Sequence, residues 1–238
     1  MNDNNKNMKN LEELDVIVTR NIKEQQREIG VLYSKFQNRI NERSNKRDHS
    51  VFTLGFGMFL SEYILKIKTD SIEINADNLL LDCRRLCEVF IVSKYINKNN
   101  LFNEVMDYCN YDRYNYLENL KKMTNANKKM FPALKDFFYF PKSLADEQAE
   151  IDRCGKKGKK MPQIIEMAKN IDYEEEYSSF YKITSKLLHF CPFSLSGDML
   201  LETRDSKFNF FKRIEMYLID IKKELDSIYE KTNIKAPC

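Results

Sequence analysis

Two short stretches of this chain hold side chains whose chemistry and spacing could serve a reaction. In Leu79-Leu80-Leu81-Asp82-Cys83-Arg84-Arg85-Leu86-Cys87-Glu88-Val89-Phe90-Ile91-Val92, Arg84 and Glu88 stand four positions apart within a mostly apolar run. On a helix that spacing lets a guanidinium and a carboxylate meet on one face. A helix apolar on every side normally lies inside a fold, and breaking a buried ion pair costs about 3–5 kcal/mol. The run therefore predicts a charged group held in a helical core. One role for it is an internal salt bridge that fixes helix register. The other is an anion site, in which Arg84 holds the ligand and Glu88 orients it. Arg85 points about 100° away and can reach the surface.

The second stretch is Tyr181-Lys182-Ile183-Thr184-Ser185-Lys186-Leu187-Leu188-His189. Lys182, Ser185 and His189 follow a 3–4 spacing and share one stripe, with Tyr181 beside it. A histidine with a hydroxyl one turn before it and an amine nearby suits proton transfer near neutral pH. The plainer role is a helix-terminal histidine that satisfies the last carbonyls and complements the dipole.

Other candidates carry less chemistry. Cys83 and Cys87 are one turn apart, but no CxxC or HxxxH accompanies them, so they read as buried thiols and no metal site is expected. Lys156, Lys157, Lys159 and Lys160 form a glycine-broken basic loop that suits phosphate contacts or plain solvation. A Walker loop, a dinucleotide-binding glycine fingerprint, a nucleophile elbow and a kinase signature are all missing.

Helices must position these groups. Apolar residues at Leu14, Ile17, Val18, Ile22, Ile29, Leu32, Phe36 and Ile40 predict a long amphipathic helix over 11–42, after a flexible polar start at 1–10. A second helix is expected over about 51–68, too interrupted by Glu62 to span a membrane. Asn75 or Asp77 caps a third, ending near Asn97. A fourth runs over about 101–123, rich in tyrosine. Residues 124–142 read as irregular, with the aromatic cluster Phe137-Phe138-Tyr139-Phe140 between Pro132 and Pro141, and a short polar helix follows at 143–152. Pro162 suits the first position of a short helix through Lys169, and Glu174–Phe190 form another. The last helix, about 206–231, buries Phe208, Phe211, Ile214, Leu218, Ile221 and Leu225, and 233–238 form a tail. No strand or internal repeat is evident, so the expected fold is all-α, a bundle of five or more helices in a single domain over 11–232, with the N-terminal helix as a possible appendage.

Composition agrees with that class. The chain has 238 residues, 42% of them hydrophobic, with 16 Phe and 13 Tyr, which excludes disorder. Lys and Arg number 39 against 36 Asp and Glu, so the net charge of +3 does not by itself point to nucleic acid. Six Gly and five Pro leave few turn-makers, which fits long helices. Met1 to Asn10 lacks an apolar stretch of signal-peptide type, so a cytoplasmic protein with free thiols is expected.

Taken together, the motifs resemble a family of uncharacterised bacterial helical proteins that pair an R-x3-E helix with a later Y-x3-Y-x3-S-x3-H segment. Here these are Arg84–Glu88, then a short helix over 161–169, then Tyr177, Tyr181, Ser185 and His189. In that family a proline often follows the histidine directly, whereas here Phe190 and Cys191 come before Pro192. The arrangement also resembles, more distantly, the HEPN domains of toxin–antitoxin and phage-defence systems. Many of those are metal-independent ribonucleases with an R-x4-6-H motif at a dimer interface. No arginine stands in that window before His189, where Lys182 takes the place. Arg43 and His49 do meet the spacing, but in a polar connection between helices.

The HEPN resemblance implies a defence or toxin-type protein acting on RNA or a nucleotide, without cofactor or membrane, as a homodimer or with a partner protein. His189 would move the proton, Arg84 and Lys182 would stabilise phosphate charge, Glu88 would position Arg84, and Ser185 and Tyr181 would orient the ligand. The competing expectation is a non-catalytic scaffold or small-anion sensor with an Arg84–Glu88–His189 polar network.

Overall fold

The computed structural model describes residues 2–43, 50–67, 75–137, 158–182, 184 and 203–232. Expectations for His189, Ser185, Lys156, Lys157, Phe138, Tyr139, Phe140, the helix at 143–152 and the tail at 233–238 fall outside these residues. Among the described residues all regular structure is helical, and the chain is an all-α helical bundle. The elements are α1 (Asn2–Arg43), α2 (Ser50–Leu65), α3 (Ala76–Asn99), α4 (Val105–Met130), α5 (Ile164–Asn170), α6 (Glu174–Glu176) and α7 (Arg204–Lys231). Short 3-10 turns at Phe102–Glu104 and Pro132–Phe137 flank α4, and α6 continues into a π-helical turn, Tyr177–Tyr181. None of the described helices is long and apolar enough to cross a membrane.

The chain divides into two compact units. The first takes in Met1–Asn100 and Gln163–Cys238. In it α7 packs chiefly on α3 and α1, α1 also packs on α2, and α5 lies on α3. The inward stripe of α1 is Asp15, Val18, Ile22, Ile29, Leu32 and Phe36, a repeat of three and four that keeps one face turned to its neighbours. Leu14 and Ile17, expected on that stripe, are both 43% exposed. The buried position between them is Asp15, so the stripe runs one residue off the apolar pattern there. Helix α1 also begins well before Leu11, because no Pro or Gly interrupts the polar segment.

At Gly57 the Phe36 ring of α1 lies directly on the backbone of α2. A Cβ added there would lie 2.4 Å from the Phe36 ring, which is fully buried and has no room to swing aside. Ser61, a turn further on, is also buried and donates its hydroxyl to the Gly57 carbonyl. At the far end of the bundle Arg43 donates to Ser50 Oγ and to the Thr232 carbonyl, joining the ends of α1 and α7 to the start of α2.

The cap of α3 is Asn75, whose side chain accepts the Asp77 amide at 2.7 Å, and the helix stops at Asn100 in the left-handed region, φ 53°. Helix α5 starts later than expected. Pro162 lies before the cap, Gln163, whose amide donates to Glu166 Oε2 at 2.9 Å, a bond that a proline could not make. Thr203 caps α7 by accepting the Ser206 amide.

Among the described residues of the first unit the most deeply buried carboxylate belongs to Glu215 of α7, 3% exposed. Its Oε1 accepts Asn21 Nδ2 of α1 at 2.7 Å and its Oε2 pairs with Lys212 at 2.5 Å. The Glu215 charge is thus satisfied between α1 and α7, away from the run around Arg84.

The second unit spans Leu101–Pro162. Helix α4 continues to Met130, past the expected end at Met123, because the first breaker is Pro132. Tyr108, Leu117 and Thr124 are its buried side chains, with Phe102 buried in the turn before it. Gly158 approaches α4 so closely that a Cβ there would stand 2.7 Å from the Asp107 carbonyl oxygen.

Candidate functional site

Arg84 and Glu88 are joined, as their spacing predicts: Arg84 Nε donates to Glu88 Oε1 at 3.3 Å. They are not sealed in the core. Their side chains are 23% and 35% exposed, so the pair sits at the margin of α3 with one edge toward water. The inner faces of α3 are filled instead by Leu79, Leu80, Cys83, Leu86, Cys87, Phe90 and Ile91.

Tyr181 completes a triangle. Its hydroxyl donates to Glu88 Oε1 at 2.5 Å and accepts from Arg84 Nη2 at 3.2 Å. The Arg84 guanidinium also lies 5.1 Å from the centroid of the Tyr181 ring, within cation–π range. Burial pushes the Tyr181 hydroxyl up to about 12, helped by its bond to Glu88 and opposed by Arg84. At neutral pH it remains a neutral donor. Tyr177 stacks on Tyr181, with centroids 4.7 Å apart and planes 19° from parallel.

The π turn places these rings. An α-helix advances about 100° per residue, so positions five apart diverge by about 140°. The wider turn closes i to i+5, seen in the Lys182 amide donating to the Tyr177 carbonyl. Glu176 and Tyr181 are thereby brought toward one side, where Glu176 meets α7 and Tyr181 meets α3. Thr184 adds a bond from its hydroxyl to the Tyr181 carbonyl.

A second polar cluster anchors the entrance of this turn, and sequence reasoning missed it. Glu176 Oε1 accepts Arg213 and the Tyr217 hydroxyl, the latter at 2.6 Å. Arg213 also covers the Phe180 ring at 4.2 Å. Tyr217 hydrogen-bonds the Cys87 thiol as well. Burial raises Cys87 to about 12 and Cys83 well above its ordinary value, and Cys83 Sγ donates to the Phe210 carbonyl. These are inert packing thiols. The signal that was available is the Arg213–Tyr217 spacing of four, the same as Arg84–Glu88, on a helix read only for its apolar stripe.

The remaining candidates separate. Lys182 follows Tyr181 and is exposed. Lys159 and Lys160 lie in the second unit, both exposed, and Lys159 pairs with Glu104 at 3.1 Å. That contact, aided by the Tyr108 hydroxyl, holds the Glu104 carboxyl below its usual range. Arg43, half of the alternative arginine–histidine spacing, is engaged with Ser50 and Thr232.

A helical bundle with an arginine–carboxylate–tyrosine triangle at a π turn is the class that fold and site define. The chain belongs to a family of unknown function, DUF5677, whose model matches residues 75–209. That span contains α3, the π turn and every residue of the triangle. No curated protein and no solved structure matches the chain.

Proposed function

We propose that the protein acts on RNA or a free nucleotide by metal-independent acid–base chemistry, as a cytoplasmic protein of prokaryotic defence or toxin type. The observation that carries this reading is Arg84, a guanidinium aimed by Glu88 and Tyr181 yet open at one edge, beside stacked tyrosine rings. Such an arrangement suits a phosphate group. In this reading Arg84 and Lys182 stabilise phosphate charge, Glu88 positions Arg84, and Tyr181 and Ser185 orient the ligand. His189, eight residues beyond Tyr181 in the chain, moves the proton. Attack by a ribose 2′-hydroxyl on the adjacent phosphate breaks the bond to the 5′-oxygen; His189 takes the hydroxyl proton and returns it to the departing oxygen, while Arg84 and Lys182 hold the charge between the two. The likeness to HEPN domains adds the homodimer or partner protein, and Lys156, Lys157, Lys159 and Lys160 serve as a separate backbone contact. Incubation of the purified chain with RNA tests the proposal. Cleavage by the parent and its loss in His189→Ala are expected, and equal cleavage by both ends it.

A second reading, a non-catalytic scaffold or small-anion sensor, is favoured by the closure of the triangle, in which each group bonds the other two. It requires Arg84→Gln to lower the melting temperature while no RNA or nucleotide effect exists to be lost.

A further inference from the structure

The half-buried ring of Tyr177 has no role in the proton or phosphate chemistry above, although it is held as firmly as the groups that do. It lies flat on Tyr181, whose own ring is buried and whose hydroxyl is fixed between Glu88 and Arg84. The backbone on one side of it is tied down by Glu176 with Arg213 and Tyr217, and on the other by the π-helical bond to Lys182. An aromatic side chain kept partly in water, ordered at both ends and already in a parallel stack, is a surface prepared for another flat ring. The guanidinium that would hold an anion lies against the inner ring of the same stack.

We propose that Tyr177 is the outer ring of a base-stacking platform, so that this site takes a base-bearing nucleotide in preference to a bare phosphate or sugar phosphate. The inference rests on the reading of Arg84 as the phosphate ligand and adds what is attached to that phosphate. Stacking tolerates any base, because every base presents a π face. Selection is therefore for the presence of a base and not for its identity. Lys182, next to Tyr181, is an exposed cation that favours an anionic ligand here.

The test is isothermal titration of the full chain with AMP, ribose 5-phosphate and inorganic phosphate. AMP is expected to bind about tenfold more tightly than ribose 5-phosphate, within the range that base–aromatic stacking supplies. Tyr177→Leu removes that difference, while Tyr177→Phe keeps it. The chain contains no tryptophan, so Tyr177→Trp creates a single reporter whose fluorescence AMP quenches and ribose 5-phosphate does not. This variant also answers the question if Tyr177→Leu fails to fold. A hexa-adenylate that binds more tightly than AMP identifies RNA as the source of the base, and equal binding identifies a free nucleotide. Both results support the platform. Equal affinity for AMP and ribose 5-phosphate, with both lost in Arg84→Gln, overturns the platform and leaves the phosphate site standing. Absence of binding by any of the four compounds overturns both.

Discussion

The hydroxyl of Tyr181 donates to Glu88 Oε1 at 2.5 Å across 93 positions of sequence, and so ties the π turn to α3. Because the same oxygen of Tyr181 accepts Arg84, the contact fixes the direction of a cation as well as the position of a turn. Tyr181→Phe keeps the ring and its packing on Tyr177 but removes the donor. A hydrogen bond to a charged acceptor contributes about 1.5–3 kcal/mol, and the exposed edge of Glu88 argues for the low end. Urea unfolding of Tyr181→Phe should show a loss of about 1.5 kcal/mol at an unchanged m-value. A variant as stable as the parent would show that the triangle holds nothing in place.

Alkaline pH should weaken the fold through two buried groups. Tyr181 rises from an ordinary value of 10.0 to about 12, and Cys87 from 9.0 to about 12, chiefly through burial. In both cases the unfolded chain gives up its proton first. Between the two values it binds fewer protons than the native state, so stability falls as pH rises. The contribution is complete below pH 9 for the thiol and below 10 for the phenol, and is lost toward 12. Chemical denaturation across pH 8–12 should show this decline, with a shallower slope above pH 10 in Tyr181→Phe. A parent curve that stays flat over the window would contradict it.

Gly57→Ala sets helix propensity against packing. Alanine gains about 1 kcal/mol over glycine in a helix interior. The new methyl would, however, sit 2.4 Å from the buried Phe36 ring, and overpacking of that kind costs about 1–3 kcal/mol or more. The net change should be a lower melting temperature, partly recovered in the double variant with Phe36→Leu. A Gly57→Ala protein more stable than the parent would mean that α1 and α2 part easily.

Arg43→Gln separates scaffold from chemistry. Its guanidinium joins Ser50 to the Thr232 carbonyl, where a cation also complements the end of α7. Thermal unfolding should reveal a loss of about 1–2 kcal/mol, with RNA cleavage and nucleotide binding unchanged. Abolished cleavage in a folded variant would return the Arg43–His49 spacing to consideration.

What could be read in advance follows from what acts locally. Helix α3 was legible from Asn75 to its end because its cap and apolar run are contiguous, and Arg84–Glu88 because four-residue spacing has one helical meaning. The end of α4 was misplaced because asparagines and lysines after Met123 resemble a loop in composition, while Pro132 alone sets the stop. The margin position of Arg84 depends on how far α7 and the π turn cover α3, which no local pattern records. The Glu176–Arg213–Tyr217 cluster depends in the same way on a turn that departs from α geometry. The R-x3-E and Y-x3-Y spacings marked residues that do meet, whereas the inward face of α1 was misread at Asp15 because apolar residues surround it.

The repeating stripe of α1 has a weakness built into it. Ile22, Ile29 and Phe36 recur every seven residues, so apolar contact alone would let the rod slide by about 10 Å and find similar company. Asn21 reaching Glu215 breaks that degeneracy, since a slipped alignment would leave the buried Oε1 of Glu215 with no amide to meet it. One polar handshake thereby decides which of several nearly equivalent dockings is the native one.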